Sequence, residues 1–126
     1  MAKLIAIIDD EVEMEFIYML MLEEIIETNQ VKMKFFSDTR YFESWLQYSL
    51  PDLILTDISM PHLTGLELGH RIREMGRIIP TYFVSGHEET EYAESIEKFG
   101  MCRYIAKPIN TIHFLEFIKT DLGLKG

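Results

Sequence analysis

Five short apolar runs punctuate the chain, and each is followed by a longer stretch of helical character. Residues 3–8, Lys-Leu-Ile-Ala-Ile-Ile, read as a buried strand ending at Asp9-Asp10-Glu11. From about Val12 to Thr28 helix formers run without a breaker. Val31 to Phe36 alternates apolar and polar, which predicts a strand with one wetter face at a sheet edge. Ser37 or Asp38 can cap a helix reaching about Tyr48, with Phe42, Trp45 and Leu46 on its core face. The run 52–56, bounded by Pro51 and Pro61, has the pattern of a strand buried on both faces. Beyond Gly65 a helix carries Leu66, Leu68, Ile72 and Met75 before Gly76. Residues 80–84 predict a fourth strand ending at Ser85-Gly86, and a polar helix over 88–99 is stopped by Gly100. A short fifth strand over 103–106 ends at Lys107-Pro108. The last helix starts near Asn110 and runs to about Leu122, with Gly123 as its stop.

Alternating strand and helix of this size imply a parallel sheet with right-handed crossovers and helices on both faces. The expected class is α/β: a flavodoxin-like (βα)5 doubly wound five-stranded parallel sheet in the order 2-1-3-4-5. Its switch point lies between strands one and three. Without repeats, low-complexity segments or linkers, residues 1–126 read as a single domain with no output domain in this chain.

Charge narrows the field of partners. The net charge is -9, from 21 acidic and 12 basic residues. That balance argues against direct binding of nucleic acid or an anionic membrane. Cys102 is the lone cysteine, which rules out an internal disulfide and fits a reducing cytoplasm. No apolar run approaches the roughly 20 residues of a membrane span, and the N-terminus does not read as a signal peptide. Cys102 itself reads as an inert thiol in a loop or near the last strand. His62, His70 and His113 lack ligand spacing and read as surface residues.

The polar residues at the strand ends carry the chemistry. Asp9, Asp10 and Glu11 follow strand one, Asp57 follows strand three, Ser85 strand four and Lys107 strand five. Taken alone, Asp57 is open to two readings, a loop or helix cap and a functional carboxylate. In a parallel sheet all four strand ends share one rim, so three carboxylates meet beside a hydroxyl and an ammonium. Two like charges about 4 Å apart repel by roughly 4 kcal/mol at an effective dielectric near 20. Such a cluster calls for a cation or a raised pKa. Oxygen-only ligands suit Mg²⁺ or Mn²⁺. No glycine-rich phosphate loop is present, which disfavours nucleotide binding.

Together these residues resemble the receiver domain of two-component response regulators. The matching pieces are Asp9-Asp10, Asp57 in Asp-Ile-Ser-Met-Pro with Gly65 beyond, Ser85-Gly86, and Tyr104-Ile-Ala-Lys107-Pro108, over nearly the whole chain. The resemblance implies that Asp57 accepts a phosphoryl group from a histidine kinase or histidine phosphotransfer protein, assisted by Lys107 and Ser85. It implies a divalent ion held by Asp10, Asp57 and the backbone carbonyl of Ser59, with Asp9 acting through water. Ser85 and Tyr104 would form the switch. The face made by the helix over 88–99, strand five and the last helix would change shape for a downstream protein or a second copy. Ser59, Gly86 and His87 would flank the phosphoryl group, Ser59 and His87 influencing its lifetime and Gly86 leaving it accessible, and Lys107-Pro108 matches a position where the family commonly carries a cis peptide. The implied protein is a signalling domain rather than an enzyme in the usual sense, assisting only its own phosphorylation and dephosphorylation.

Two other readings stay in view. An aspartyl nucleophile with Mg²⁺ also serves phosphatases, but the similar phosphatase family carries a second Asp two residues later, where Ser59 stands here and supplies no general acid. A binding adaptor with an unused pocket is opposed by the intact set Asp10, Asp57, Ser85 and Lys107. The first helix is the least ordinary segment. Residues 16–22 are apolar in succession, more than one buried stripe requires. A wide core face is one reading. The other is a docking patch through Phe16, Met19 and Leu20, since in resembling proteins this helix meets the partner's helical bundle. The last helix, with Ile112, Phe114, Leu115, Phe117 and Ile118, offers a second candidate surface.

Overall fold

Strands β1 (Lys3–Ile8), β2 (Val31–Phe36), β3 (Leu53–Asp57), β4 (Thr81–Ser85) and β5 (Cys102–Ala106) pair in parallel as one sheet, ordered β2-β1-β3-β4-β5. That is the doubly wound order expected from the alternation. The computed structural model describes residues 1–60, 64–86, 99–100 and 102–125. Its helices are α1 (Met14–Met21), α2 (Glu23–Glu27), α3 (Thr39–Leu46), α4 (Gly65–Glu74) and α5 (Thr111–Leu122).

The sheet is covered on both faces because its central strands are apolar on both. Ile5, Ile7, Leu53, Leu55, Tyr82 and Val84 face α1, α2 and α5, meeting Tyr18, Leu22, Ile25, Phe114 and Ile118. Ala6, Ile8 and Ile54 face the other way, toward Phe42 and Leu46 of α3 and Leu68 and Ile72 of α4. Fully burying one such aliphatic or aromatic side chain stabilises by about 1.5–3 kcal/mol. Every residue of β3 is buried, whereas edge strand β2 alternates, as its sequence predicts. Asp52 fixes where β3 begins: its carboxylate accepts from the Leu4 amide at 2.7 Å, and its own amide donates to the Leu4 carbonyl at 2.7 Å.

The helices differ from expectation chiefly at their ends. The single helix predicted over 12–28 is two, interrupted at the fully buried Leu22 (φ -96°, ψ 2°). It closes in a Schellman turn: Asn29 adopts φ 58°, and the Gln30 amide reaches back to the Ile25 carbonyl at 2.9 Å. Asp38, not Ser37, caps α3 by accepting from the Arg40 amide, and α3 ends at Leu46 rather than Tyr48. Trp45 is half-buried against Phe36 and Phe42. Met75, expected on a core face, is the exposed C-cap of α4, and Leu68 and Ile72 fill the core there. The predicted helix over 88–99 lies outside the described residues except for Phe99. Asn110 caps α5 and Gly123, at φ 64°, ends it, as expected.

Candidate functional site

Strand pairing assembles the site. Ile8 pairs with Thr56, so the next residue on each strand, Asp9 and Asp57, stand side by side at the carboxyl edge. Asp57 is the last residue of β3 rather than the first of the turn, and pairs with Val84. Ser85, ending β4, accepts from the Lys107 amide at 2.8 Å, which carries Lys107 from β5 to the same rim. The Lys107–Pro108 peptide is cis, as the resemblance implies.

Two matching local turns aim the carboxylates. The Glu11 amide donates to Asp9 Oδ1 at 2.9 Å, and the Ser59 amide donates to Asp57 Oδ1 at 3.1 Å. Each is an aspartate accepting from the amide two residues on, the Asx turn that short acidic side chains favour. Lys107 enters from across the sheet. Its Nζ lies 3.0 Å from Asp57 Oδ2, 3.5 Å from Asp9 Oδ2 and 3.8 Å from Glu11 Oε1. Asp9 and Asp57 are buried, while Asp10 and Glu11 are exposed.

The electrostatics follow from burial first. Loss of water pushes the Asp9 carboxyl up to about 6 from 3.8; the Glu11 amide and Lys107 oppose this, and the charges of Asp57 and Glu11 add to it. Burial pulls the Lys107 ammonium down, but the hydrogen bond to Asp57 and the charges of Asp9, Asp57 and Glu11 outweigh it and leave Lys107 above its ordinary value. Asp9 Oδ2 is buried and accepts no hydrogen bond among the described residues.

This donor set fits a hard divalent cation. One carboxylate oxygen from each of Asp9, Asp10 and Asp57 lies within 4.8 Å of the others, all three ligands are oxygen, and Asp9 has a lone pair left without a donor. These are carboxylates expected to meet from their places at the ends of strands one and three.

Other expected residues are placed unevenly. Ser85 is fully buried, and beside it a Cβ on Gly86 would meet nothing within 4 Å, so space is open there. Tyr104, half-buried, pairs with Phe83 across β4 and β5 and joins the cluster of Ile58, Phe83 and Phe99. Ser59 is exposed. His87, with Pro61, His62 and Leu63, lies outside the described residues. His113 is exposed as expected; exposed His70 meets the Phe99 ring edge-on with centroids 5.4 Å apart. Cys102 is in β5, half-buried, and burial raises its thiol pKa, in keeping with an inert thiol.

Three features were missed. The reach of Glu11 to Lys107 and the Ser59 amide on Asp57 leave no signal beyond proximity to an aspartate. The capping box at Thr64 and Glu67, which starts α4, was readable as Thr-x-x-Glu.

The surface of α1 departs from an ordinary amphipathic helix. Tyr18 is buried, whereas Phe16 is 65% exposed, Leu20 54% and Met19 49%. In α5 only Ile112 among the named apolar residues is exposed; Phe114 and Ile118 are core, and Phe117 lies under the Arg103 guanidinium at 4.2 Å.

Comparison with known proteins decides the family. Residues 5–119 match the model of the response regulator receiver domain. The chain belongs to this family. As a receiver domain it is 35% identical over 115 residues to the polar-differentiation response regulator DivK of Brucella ovis, covering 79% of this chain and 94% of DivK. It is 27% identical over 103 residues to the response regulator protein TmoT of Ectopseudomonas mendocina, covering 82% of this chain and 47% of TmoT. The receiver domain thus spans about half the length of TmoT and of the similar TodT of Pseudomonas putida. Among solved structures, the signal receiver domain of an HD domain-containing protein from Pseudomonas fluorescens Pf-5 has a TM-score of 0.85 at 17% identity, covering 98% of this chain and 96% of that one. A response regulator receiver protein from Pseudomonas putida has a TM-score of 0.83 at 22% identity, covering 95% and 98%. Those two likenesses speak to the fold. Receiver domains typically bind Mg²⁺ in an acidic pocket and work with a histidine kinase or phosphotransfer partner. No helix among the described residues is long and apolar enough to cross a membrane.

Proposed function

We propose that Asp57 accepts a phosphoryl group from a phosphohistidine of a partner kinase or phosphotransfer protein, in a Mg²⁺-dependent reaction in the cytoplasm. The observation that carries this is the 3.0 Å contact between Lys107 Nζ and Asp57 Oδ2 within a cluster of three carboxylates. Each Asp57 oxygen receives one hydrogen bond, from Ser59 or Lys107, which holds the carboxylate while leaving lone pairs for attack. An Asp57 oxygen bonds to phosphorus, the phosphorus–nitrogen bond of the phosphohistidine breaks, and the electron pair stays on the imidazole. Lys107 then shifts its ammonium onto a phosphoryl oxygen. Preorganised charge of this kind is the main catalytic resource in phosphoryl transfer.

Asp10, Asp57 and the Ser59 backbone carbonyl would hold Mg²⁺, with Asp9 acting through water. When bound, the ion neutralises charge on the phosphoryl oxygens. Ser85 would follow the phosphoryl group. Tyr104 would take a more inward rotamer and reshape the surface of β5 and α5, as a population shift between two arrangements. Ser59 and His87 would influence the lifetime of the phosphorylated state, and Gly86 would leave the phosphoryl group accessible. A Tyr104→Ala variant that is phosphorylated yet fails to signal would support the switch.

The deciding experiment incubates the protein with phosphoramidate and Mg²⁺ and follows intact mass. The expected result is one added phosphoryl group, base-labile, lost in Asp57→Asn and in EDTA. An adduct that persists in Asp57→Asn, or no adduct in the wild type, overturns the reading.

A further inference from the structure

The acidic rim holds one more carboxylate than the phosphoacceptor chemistry uses. Glu11 has an exposed side chain, yet its Oε1 lies 3.8 Å from Lys107 Nζ, on the ammonium that also contacts Asp57 at 3.0 Å and Asp9 at 3.5 Å. The Glu11 amide holds Asp9 Oδ1 at 2.9 Å, so the backbone of this residue is tied to the acidic cluster while its solvent-exposed carboxylate stays within reach of Lys107. The buried Asp9 Oδ2 faces that ammonium at 3.5 Å as an ion pair but accepts no hydrogen bond among the described residues, so it keeps acceptor capacity for a positive ligand.

We propose that Glu11 is a specificity-determining residue, whose charge favours the divalent cation and disfavours small dianionic phosphodonors entering from solvent. This rests on the phosphoacceptor reading above. Two effects act in the same direction. Glu11 competes with the incoming phosphoryl group for Lys107, and its field opposes any approaching anion in proportion to the anion's charge. A histidine donor carried on a protein offsets that repulsion with docking contacts, whereas a free metabolite cannot. Glu11 thereby suppresses phosphorylation by free acyl phosphates relative to phosphorylation by a docked partner.

The test is Glu11→Gln, which keeps size, backbone and the amide held on Asp9 and removes only charge. At pH 7 acetyl phosphate approaches as a dianion, whereas phosphoramidate is mainly the zwitterion with one net negative charge. For a charge about 7 Å from the reacting group in water-like dielectric, Coulomb's law gives about a sevenfold effect for a double charge and about threefold for a single one. At saturating MgCl₂ the expected result is that Glu11→Gln accelerates acetyl phosphate about two- to threefold more than phosphoramidate, an excess that shrinks in 1 M salt. Calorimetric titration with MgCl₂ alone is expected to show severalfold weaker binding in Glu11→Gln, and Glu11→Asp is expected to keep most of the wild-type affinity. Equal acceleration of both donors, or unchanged Mg²⁺ affinity in Glu11→Gln, overturns the proposal even where Asp57 is phosphorylated normally. The titration is independent of phosphorylation, so failure of the Asp57 chemistry would appear separately, as absence of the adduct in the wild type.

Discussion

A Cβ on Gly65 would stand 2.4 Å from the backbone carbonyl oxygen of Asp57. The first residue of α4 therefore lies directly behind the peptide that carries the proposed nucleophile. The Gly65 amide also donates to the Ile58 carbonyl at 3.0 Å, closing the loop. Glycine is required by contact here, since backbone atoms cannot rotate away as a side-chain end can.

Gly65→Ala should therefore be among the most harmful single-methyl additions in the chain. Relief requires moving either α4 or the end of β3, and overpacking of this kind costs typically 1–3 kcal/mol, here at least about 2. Urea denaturation should show that loss, and the phosphorylation rate with phosphoramidate should fall as Asp57 is displaced. An alanine variant of wild-type stability and rate would mean that the loop yields freely.

Lys107 compensates charge that the fold places together. In Lys107→Ala the buried Asp9 and Asp57 face each other without the ammonium. Removing one partner of a fully buried pair costs roughly 3–5 kcal/mol, and about 2 is expected here because Lys107 is partly solvated. A divalent cation can replace part of the missing charge. The rise in Tm on adding Mg²⁺ should be larger in Lys107→Ala than in the wild type, measured by thermal denaturation with and without EDTA. Equal increments would detach Lys107 from the metal pocket.

The raised pKa of Asp9 has a definite sign. Its carboxyl titrates near 3.8 unfolded and about 6 folded, so the folded protein binds more protons between these values. Stability from this group falls as pH rises from about 4 through 6 and is flat above. Asp9→Asn removes the charge and keeps an oxygen for the Glu11 amide. In EDTA it should stabilise the protein at pH 8 by up to about 3 kcal/mol, and by less at pH 5. The same substitution should weaken Mg²⁺ binding. Denaturant midpoints at the two pH values check the first part, and an equal gain at both would contradict it.

Much of this is legible in the sequence alone. Strand order followed from alternation, because five apolar runs separated by helices leave few unknotted parallel sheets. The meeting of Asp9, Asp10, Asp57 and Lys107 followed from that order, since each ends a strand or follows one. What could not be read was set by tertiary geometry. Leu22 interrupts a helix that its neighbours' propensities would continue, and it is fully buried where it does so. Met75 has the spacing of a core residue but falls one position past the helix. The approach of Glu11 to Lys107 joins residues from two separate strand ends through long side chains, and no local pattern encodes their meeting.

The exposed apolar residues of α1 carry the last prediction. Phe16 and Met19 are 65% and 49% exposed, on the helix that follows Asp9 and Asp10, beside Glu13, Glu15 and Glu23. An apolar centre with an acidic rim suits a partner helix with apolar residues flanked by Lys and Arg, and it disfavours self-pairing through like charge. Because both side chains are exposed, Phe16→Glu with Met19→Glu should change stability by no more than about 0.5 kcal/mol per site. Phosphorylation by phosphoramidate should be unchanged, while transfer from the partner histidine kinase or phosphotransfer protein should slow at least about tenfold, as expected when aromatic anchors leave an interface. The two donors isolate docking from chemistry. If both slow equally, the substitutions have disturbed the acid pocket; if neither slows, the partner meets another face of the receiver domain.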